Sequence, residues 1–217
     1  RKSNVAAGTK TVAITFGTAT YCSASSVSYL NVGSVTTKSV YAAAALTASQ
    51  TVSGASYSMV INAIGQYCGG VDTFVSSSGG TQRYQGMGSA KYMNLVVQDT
   101  TSTGSTTFSS TVTATNTVSG SISLVLSPPP STQASARQVQ LLSTSSMSQG
   151  NAYSITWSHT IESNASLLVV AWHGLSSSFS PTCTVNGQAM TAVSGITYAS
   201  NPIGWVGFFY YVNPPSG

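Results

Sequence analysis

Apolar and polar side chains alternate at period two through residues 12–16, 26–30, 57–64, 106–114 and 121–126. Gly- and Ser-rich turns break the pattern about every eight to twelve residues, the rhythm of antiparallel sandwiches and barrels. Period two is the repeat of a strand with one buried face, whereas a helix needs 3.6 residues. The one helix-compatible run, 41–46, is too short to stand without packing. The pattern therefore predicts an all-β fold: an antiparallel β-sandwich, Ig-like or jelly-roll-like, in one or two sandwich units. A chain of 217 residues can bury an adequate core either way.

The clearest boundary is Ser127-Pro128-Pro129-Pro130-Ser131. Three prolines cannot donate to a strand ladder and favour a stiff extended spacer. This divides the chain into a sandwich segment 1–127, a Pro/Ser/Thr-rich linker 128–138, and a sheet segment 139–217. In the last segment 153–161 alternates again, and 167–172 is a continuous apolar run suited to a strand buried on both faces. Asn186-Gly187 is a strong hairpin signal, and 204–212 reads as the final strand.

Only 5% of residues are charged, against about 25% in ordinary globular domains, and Ser, Thr, Gly and Ala fill the gap. With 41% apolar residues this is not a disordered composition. The net charge of +4 comes from scattered cations, and only Arg1 and Lys2 are adjacent, so no patch for nucleic acid is present. No apolar run approaches the 18 or so residues of a membrane helix, and no membrane insertion is expected. Weak self-repulsion suits packed assemblies. The start at Arg1, without methionine or hydrophobic leader, points to a processed or excised chain.

Chemistry-bearing residues are few. His159 and His173 are the only histidines, Asp72, Asp99 and Glu162 the only acids, and no Gly-x-Ser-x-Gly elbow occurs. Gly86-Met87-Gly88 lacks the third glycine and following helix of a dinucleotide loop. No enzyme activity, cofactor or metal is expected. Cys22, Cys68 and Cys183 form an odd set: a Cys22–Cys68 bridge and three small buried thiols are both open. Trp157, Trp172 and Trp205 lie in the C-terminal segment with Phe208, Phe209, Tyr210 and Tyr211. Packed, they form a core or an inter-subunit seam; exposed, they would stack on sugar rings, so glycans are a second class of partner. Arg83-Tyr84 with Lys91-Tyr92 is a lesser candidate face. Asn164-Ala165-Ser166 is an N-glycosylation sequon in an expected turn.

The segment 155–217 carries Trp157-Ser158-His159-Thr160, Leu167-Leu168-Val169-Val170, Thr184-Val185-Asn186-Gly187-Gln188-Ala189-Met190 and Tyr210-Tyr211-Val212-Asn213-Pro214-Pro215-Ser216-Gly217. It resembles the first half of a β-sandwich repeat module found in bacterial secreted proteins and tailed-phage virion proteins. In that family the Asn-Pro-Pro-Ser-Gly turn leads into a strand like 9–16, and a second half resembling 17–126 follows. Here the halves stand in swapped order. The resemblance implies an extracellular or virion-surface location and brings no catalytic residues.

Three arrangements satisfy such a swap: docking of 153–217 on 8–126 within one chain, completion of the next subunit in a homo-oligomer or polymer, or a window cut from a tandem array. The expected assembly residues are Thr9, Val12, Ile14 and Phe16 on one strand, Trp205, Phe209 and Tyr211 on the other, and Pro214 and Pro215 in the turn. The function expected is that of a non-enzymatic structural subunit of an extracellular filament or virion appendage, joined by β-strand or half-domain complementation. The alternative is a carbohydrate-binding or adhesion module.

Overall fold

The computed structural model describes residues 8–42, 45–70, 73–87, 92–113, 118–130, 138–175, 180–198 and 204–214. Among them there is no helix; the chain forms antiparallel strands in three sheets. Sheet A takes β1 (Gly8–Leu30), β10 (Gln140–Ile161), β11 (Leu167–Leu175), β12 (Thr182–Val185), β13 (Gln188–Ala189), β14 (Thr191–Tyr198) and β15 (Gly204–Val212). Sheet B has the order β2 (Ser34–Ala42), β9 (Val118–Ser127), β4 (Met59–Tyr67), β7 (Met93–Thr101), β6 (Thr81–Gly86). Sheet C is β3 (Thr47–Ser53), β8 (Ser105–Val112), β5 (Phe74–Ser78).

The expected all-β sandwich is the observed class, with more layers than two. The sheets also cut across the division at residue 127, because β1 comes from the N-terminal segment yet pairs with three strands of the C-terminal one. The sequence pattern reads 12–16 and 26–30 as separate strands; both belong to β1. Along β1 and β10 the pairing runs from Gly8↔Ile161 to Leu30↔Gln140, with register shifts between Thr15 and Cys22. On the other edge of β1, residues 12–15 pair with β12 and 22–29 with β11. The long ribbon thus has two arms, and irregular pairing between them lets one arm fold over the other.

Three buried clusters give the layer order. The largest joins Val27, Tyr29, Leu167, Val169, Val206 and Phe208 of sheet A to Ile61, Leu95, Ile122 and Leu124 of sheet B. On the opposite face of sheet A, Cys22, Ala24, Leu168, Val170, Trp172 and Phe209 meet Val12, Ile14, Phe16, Ile155 and Trp157 from the folded-over arm, with Cys183 and Val185 of β12. On the opposite face of sheet B, Val60, Ile64 and Val125 meet Ala48, Val52 and Phe108 of sheet C. The stack therefore runs sheet C, sheet B, sheet A, outer arm. Alternation decides which residue enters which seam: in β4 the odd positions face sheet A and the even ones sheet C, so the strand is buried up to half-buried Tyr67.

Two backbone details hold this packing. Asn186 and Gly187 have φ of 49° and 77°, the left-handed pair that a two-residue hairpin turn requires, and Val185↔Gln188 closes the β12–β13 hairpin as the Asn-Gly signal predicts. Gly65 faces His173 so closely that a Cβ there would lie 2.8 Å from the imidazole Cδ2. Glycine at this point lets a histidine occupy the A/B seam.

Candidate functional site

Six of the expected assembly residues converge inside one chain. Val12, Ile14, Phe16 and Phe209 are buried in the cluster beneath the outer arm, and Trp205 and Tyr211 pack partly buried against it. Thr9 points to solvent, its hydroxyl 3.4 Å from that of Thr160. Pro214 is buried, and Pro215 lies outside the described residues. The contact is between faces and not edges. Strand 9–16 is bordered by β10 and β12, whereas 204–212 is bordered by β11 and β14. The two strands are therefore not ladder neighbours, because each already has partners on both edges.

One long edge stays open. Among the described residues β10 pairs only with β1, leaving the other side of a 22-residue strand without a ladder partner. That strand contains no Asp, Glu, Lys, Arg or Pro. Charge, proline and shortness are the usual means of blunting an exposed edge, and β10 has none of them. Tyr153, near the bend of the ribbon, is 67% exposed.

Where the two arms close, a buried polar cluster forms around His159. Its Nδ1 lies 3.0 Å from Ser26 Oγ and 2.9 Å from Ser145 Oγ; its Nε2 lies 2.6 Å from Ser28 Oγ and 3.3 Å from Ser143 Oγ. Trp157 Nε1 donates to Ser26 Oγ at 2.9 Å, and buried Lys10 stands cross-strand from His159. Burial lowers the His159 pKa from 6.5 to about 4, so the ring is neutral at physiological pH and donates from one nitrogen only. A neutral imidazole beside hydroxyls is general-base geometry, but Ser26, Ser28 and His159 are closed to solvent and all four partners of the ring are serines. The chemistry available is a clamp between the arms. Sequence reasoning leaves these serines unassigned, since Ser26 and Ser28 stand more than 130 positions away from His159.

The acids lie elsewhere. Asp99, 1% exposed, accepts from Arg83 Nε at 2.7 Å and from the Tyr29 hydroxyl at 2.9 Å, with a second Arg83 nitrogen also 2.7 Å away. Burial, then the Asp99 charge, push the Tyr29 hydroxyl well above its usual pKa, so it remains a donor. Asp72 and Lys91 lie outside the described residues, and Glu162 is half-buried at a turn. Among the described residues no group of three His, Cys, Asp or Glu could hold a metal, and no helix is long and apolar enough to cross a membrane.

The Cys22–Cys68 bridge is not formed. All three cysteines are free and buried. Cys22 faces the cluster on the side of sheet A turned away from sheet B, whereas Cys68 follows β4 in sheet B, with its N–H bonded to the Tyr92 carbonyl. Burial raises the Cys22 and Cys183 thiols to about 12, which disfavours the reactive thiolate.

The tryptophans take the packed alternative. Trp157 and Trp172 are buried and Trp205 is half-buried, so the tryptophans serve the core. A tyrosine group forms instead at one end of the sandwich. Tyr92, 37% exposed, has its ring centroid 5.2 Å from Tyr21 and 6.4 Å from Tyr67, the latter pair nearly parallel at 12°. Tyr84 packs partly buried against the A/B core; Lys91, expected to share a face with it, lies outside the described residues. A cleft of about 170 Å³ beside Val35, Leu167, Tyr210 and Val212 is smaller than the ~300 Å³ at which ligand pockets begin. Asn164 is exposed at a turn; the Ser166 hydroxyl of its sequon accepts from Val32 N–H at 2.9 Å and donates to the Tyr29 carbonyl at 3.2 Å.

Finally, the solvent face of β3 and β8 in sheet C is made of hydroxyls, and β5 beside them exposes Val75. Thr47 meets Thr111 at 2.8 Å, Thr51 meets Thr107 at 2.7 Å, and Ser53 meets Ser105 at 2.7 Å. Between these ranks Ser49 stands opposite Ser109, which bonds Ser78 at 2.8 Å. The repeated Thr-x-Ser-x-Thr-x-Ser of 47–53 is the sequence signal for it.

The fold and these features define a layered, all-β, low-charge protein. No protein-family model, curated protein or solved structure matches the chain.

Proposed function

We propose that this chain is a non-enzymatic structural subunit of an extracellular filament or virion appendage. In this reading its two sequence halves complement each other within one molecule, and neighbours join through the open edge of β10. The observation that carries it is that edge: 22 residues, no charge, no proline and no ladder partner among the described residues. Strand addition at such an edge supplies main-chain hydrogen bonds without requiring a pocket. The low overall charge supports the same reading, because copies repel one another weakly.

The test places lysines on the edge strand at solvent-facing positions, Thr156→Lys and Ser158→Lys. Sedimentation and negative-stain microscopy of the unsubstituted chain should show concentration-dependent assemblies, and the lysine variants should be monomeric with unchanged circular dichroism. A chain that stays monomeric at every concentration would sink the proposal.

A second reading, a carbohydrate-binding or adhesion module, is favoured by the Tyr21–Tyr67–Tyr92 group, since exposed aromatic faces stack on sugars. Glycan-array binding abolished by Tyr92→Ala would support it; no binding to any glycan would dismiss it.

A further inference from the structure

The solvent face of sheet C joins three properties that together narrow what can lie on it. It is chemically uniform: the outward positions of β3 and β8 are all Ser or Thr. It carries no charge, which gives phosphates and acidic partners nothing to meet. It also has no aromatic ring to stack a sugar, and protein interfaces are depleted in serine, so a glycan or a second copy of the chain fits it poorly.

The hydroxyls are also ordered. Cross-strand bonds pin Thr47 to Thr111 and Thr51 to Thr107, and β-branching leaves threonine few rotamers. Beneath them Val52, Phe108 and Gln50 are fully or almost fully buried, which anchors the strands that carry the face. Neighbouring strands lie about 4.8 Å apart and alternate residues of one strand about 6.7 Å apart. The side chains are rooted on a net of those spacings, and the paired hydroxyls, 2.7–2.8 Å apart across the strands, keep the oxygen separation of hydrogen-bonded water.

We propose that this face binds ordered water and adsorbs to ice. Hydroxyls of the Thr and Ser ranks take lattice positions, and the threonine methyls seat between them. The outer arm of sheet A also exposes Thr9, Thr11 and Thr15, but Ala13 interrupts it and the register breaks after Thr15. Sheet C is therefore the face assigned. The proposal does not depend on the assembly reading.

The experiment partitions the full chain into slowly growing polycrystalline ice. The expected result is enrichment in the ice fraction over a non-binding globular protein of similar size. Thr51→Lys and Thr107→Lys should each abolish the enrichment, while Thr156→Lys on the outer arm should leave it. Exclusion of the unsubstituted chain from ice overturns the proposal, whether or not a variant folds. So does enrichment that survives both sheet C substitutions, sedimentation with crystalline cellulose in place of ice, or a dimer that Thr51→Lys dissociates.

Discussion

Sheet B meets its two neighbours through different chemistry, although the same strands face both. Toward sheet A, Ile61, Leu95, Ile122 and Leu124 lie against Val169, Val206 and Phe208 in a broad apolar seam. Toward sheet C the alternate positions are largely polar. Asn62 Nδ2 donates to Gln50 Oε1 at 3.0 Å and to the hydroxyls of Ser121 and Ser123 at 2.9 and 2.8 Å; Asn94 Nδ2 reaches Gln66 Oε1 at 3.0 Å; Ser110 donates to the same oxygen at 2.6 Å. Only a small cluster around Phe108 is apolar there. Apolar burial supplies most of the free energy but is non-directional. A buried amide network is directional, and a one-residue slip of β3 would turn Gln50 to solvent and bring hydroxyls inward. The A/B seam thus holds the halves together, while the B/C seam fixes which face of sheet C is outside.

That division can be broken, and the largest effect is expected in the apolar seam. Phe208→Ala removes a fully buried ring and should cost about 3–5 kcal/mol in urea unfolding. A loss no greater than that of a surface substitution would contradict the assignment of the seam.

Acid should separate the seams by a few kcal/mol. Burial lowers His173, in the A/B seam against Gly65, from 6.5 to about 3, and His159, between the ribbon arms, from 6.5 to about 4. The unfolded chain takes up these protons near pH 6.5 and the folded chain refuses them until about pH 3 and 4. Stability is therefore complete above 6.5, declines as pH falls through this window, and levels off below it. Each histidine contributes a loss on the order of a few kcal/mol. The amide network of the B/C seam contains no titratable side chain, so amide exchange at pH 4 should rise in β11 and β15 before β3 and β8. His159→Gln should flatten the upper part of the decline.

Next in size, Gln50→Ala deprives Asn62, Ser121 and Ser123 of their shared acceptor and should cost roughly 1–3 kcal/mol. The double variant Gln50→Leu with Asn62→Leu should cost less than the sum of the singles, which a double-mutant cycle measures. Additive losses would mean that the amides act independently. The smallest effect is expected on the outer face, where Thr107→Val should stay within about 0.5 kcal/mol by the same assay.

Much of this architecture is legible in local sequence. The Asn186-Gly187 turn, the alternation of 121–126 and the continuous apolar run from Leu167 report conditions that each strand meets by itself. What is not legible depends on distant partners. Gly17 and the Ser/Ala run 23–26 hide the continuity of β1, which pairing with β10 imposes. Ser26 and Ser28 read as the polar face of a strand, and only the folded ribbon brings them to His159. Equally, a Cys22–Cys68 pair and three buried thiols stay open in the sequence, which shows strand ends and not which face each thiol occupies; the structure takes the second. For Trp157 and Trp172 the sequence leaves packing and sugar stacking both open for the same reason, and the core takes them.

The central claim is that the two halves close on each other within one chain and leave β10 as the open edge. Amide hydrogen exchange followed from dilute to concentrated protein tests it directly. The account predicts that 9–16 and 204–212 are protected at every concentration, while alternate amides of 154–160 gain protection only as the chains associate. Free exchange of 9–16 or 204–212 in the dilute monomer, with protection appearing only on assembly, would contradict it and place those strands in the neighbouring subunit.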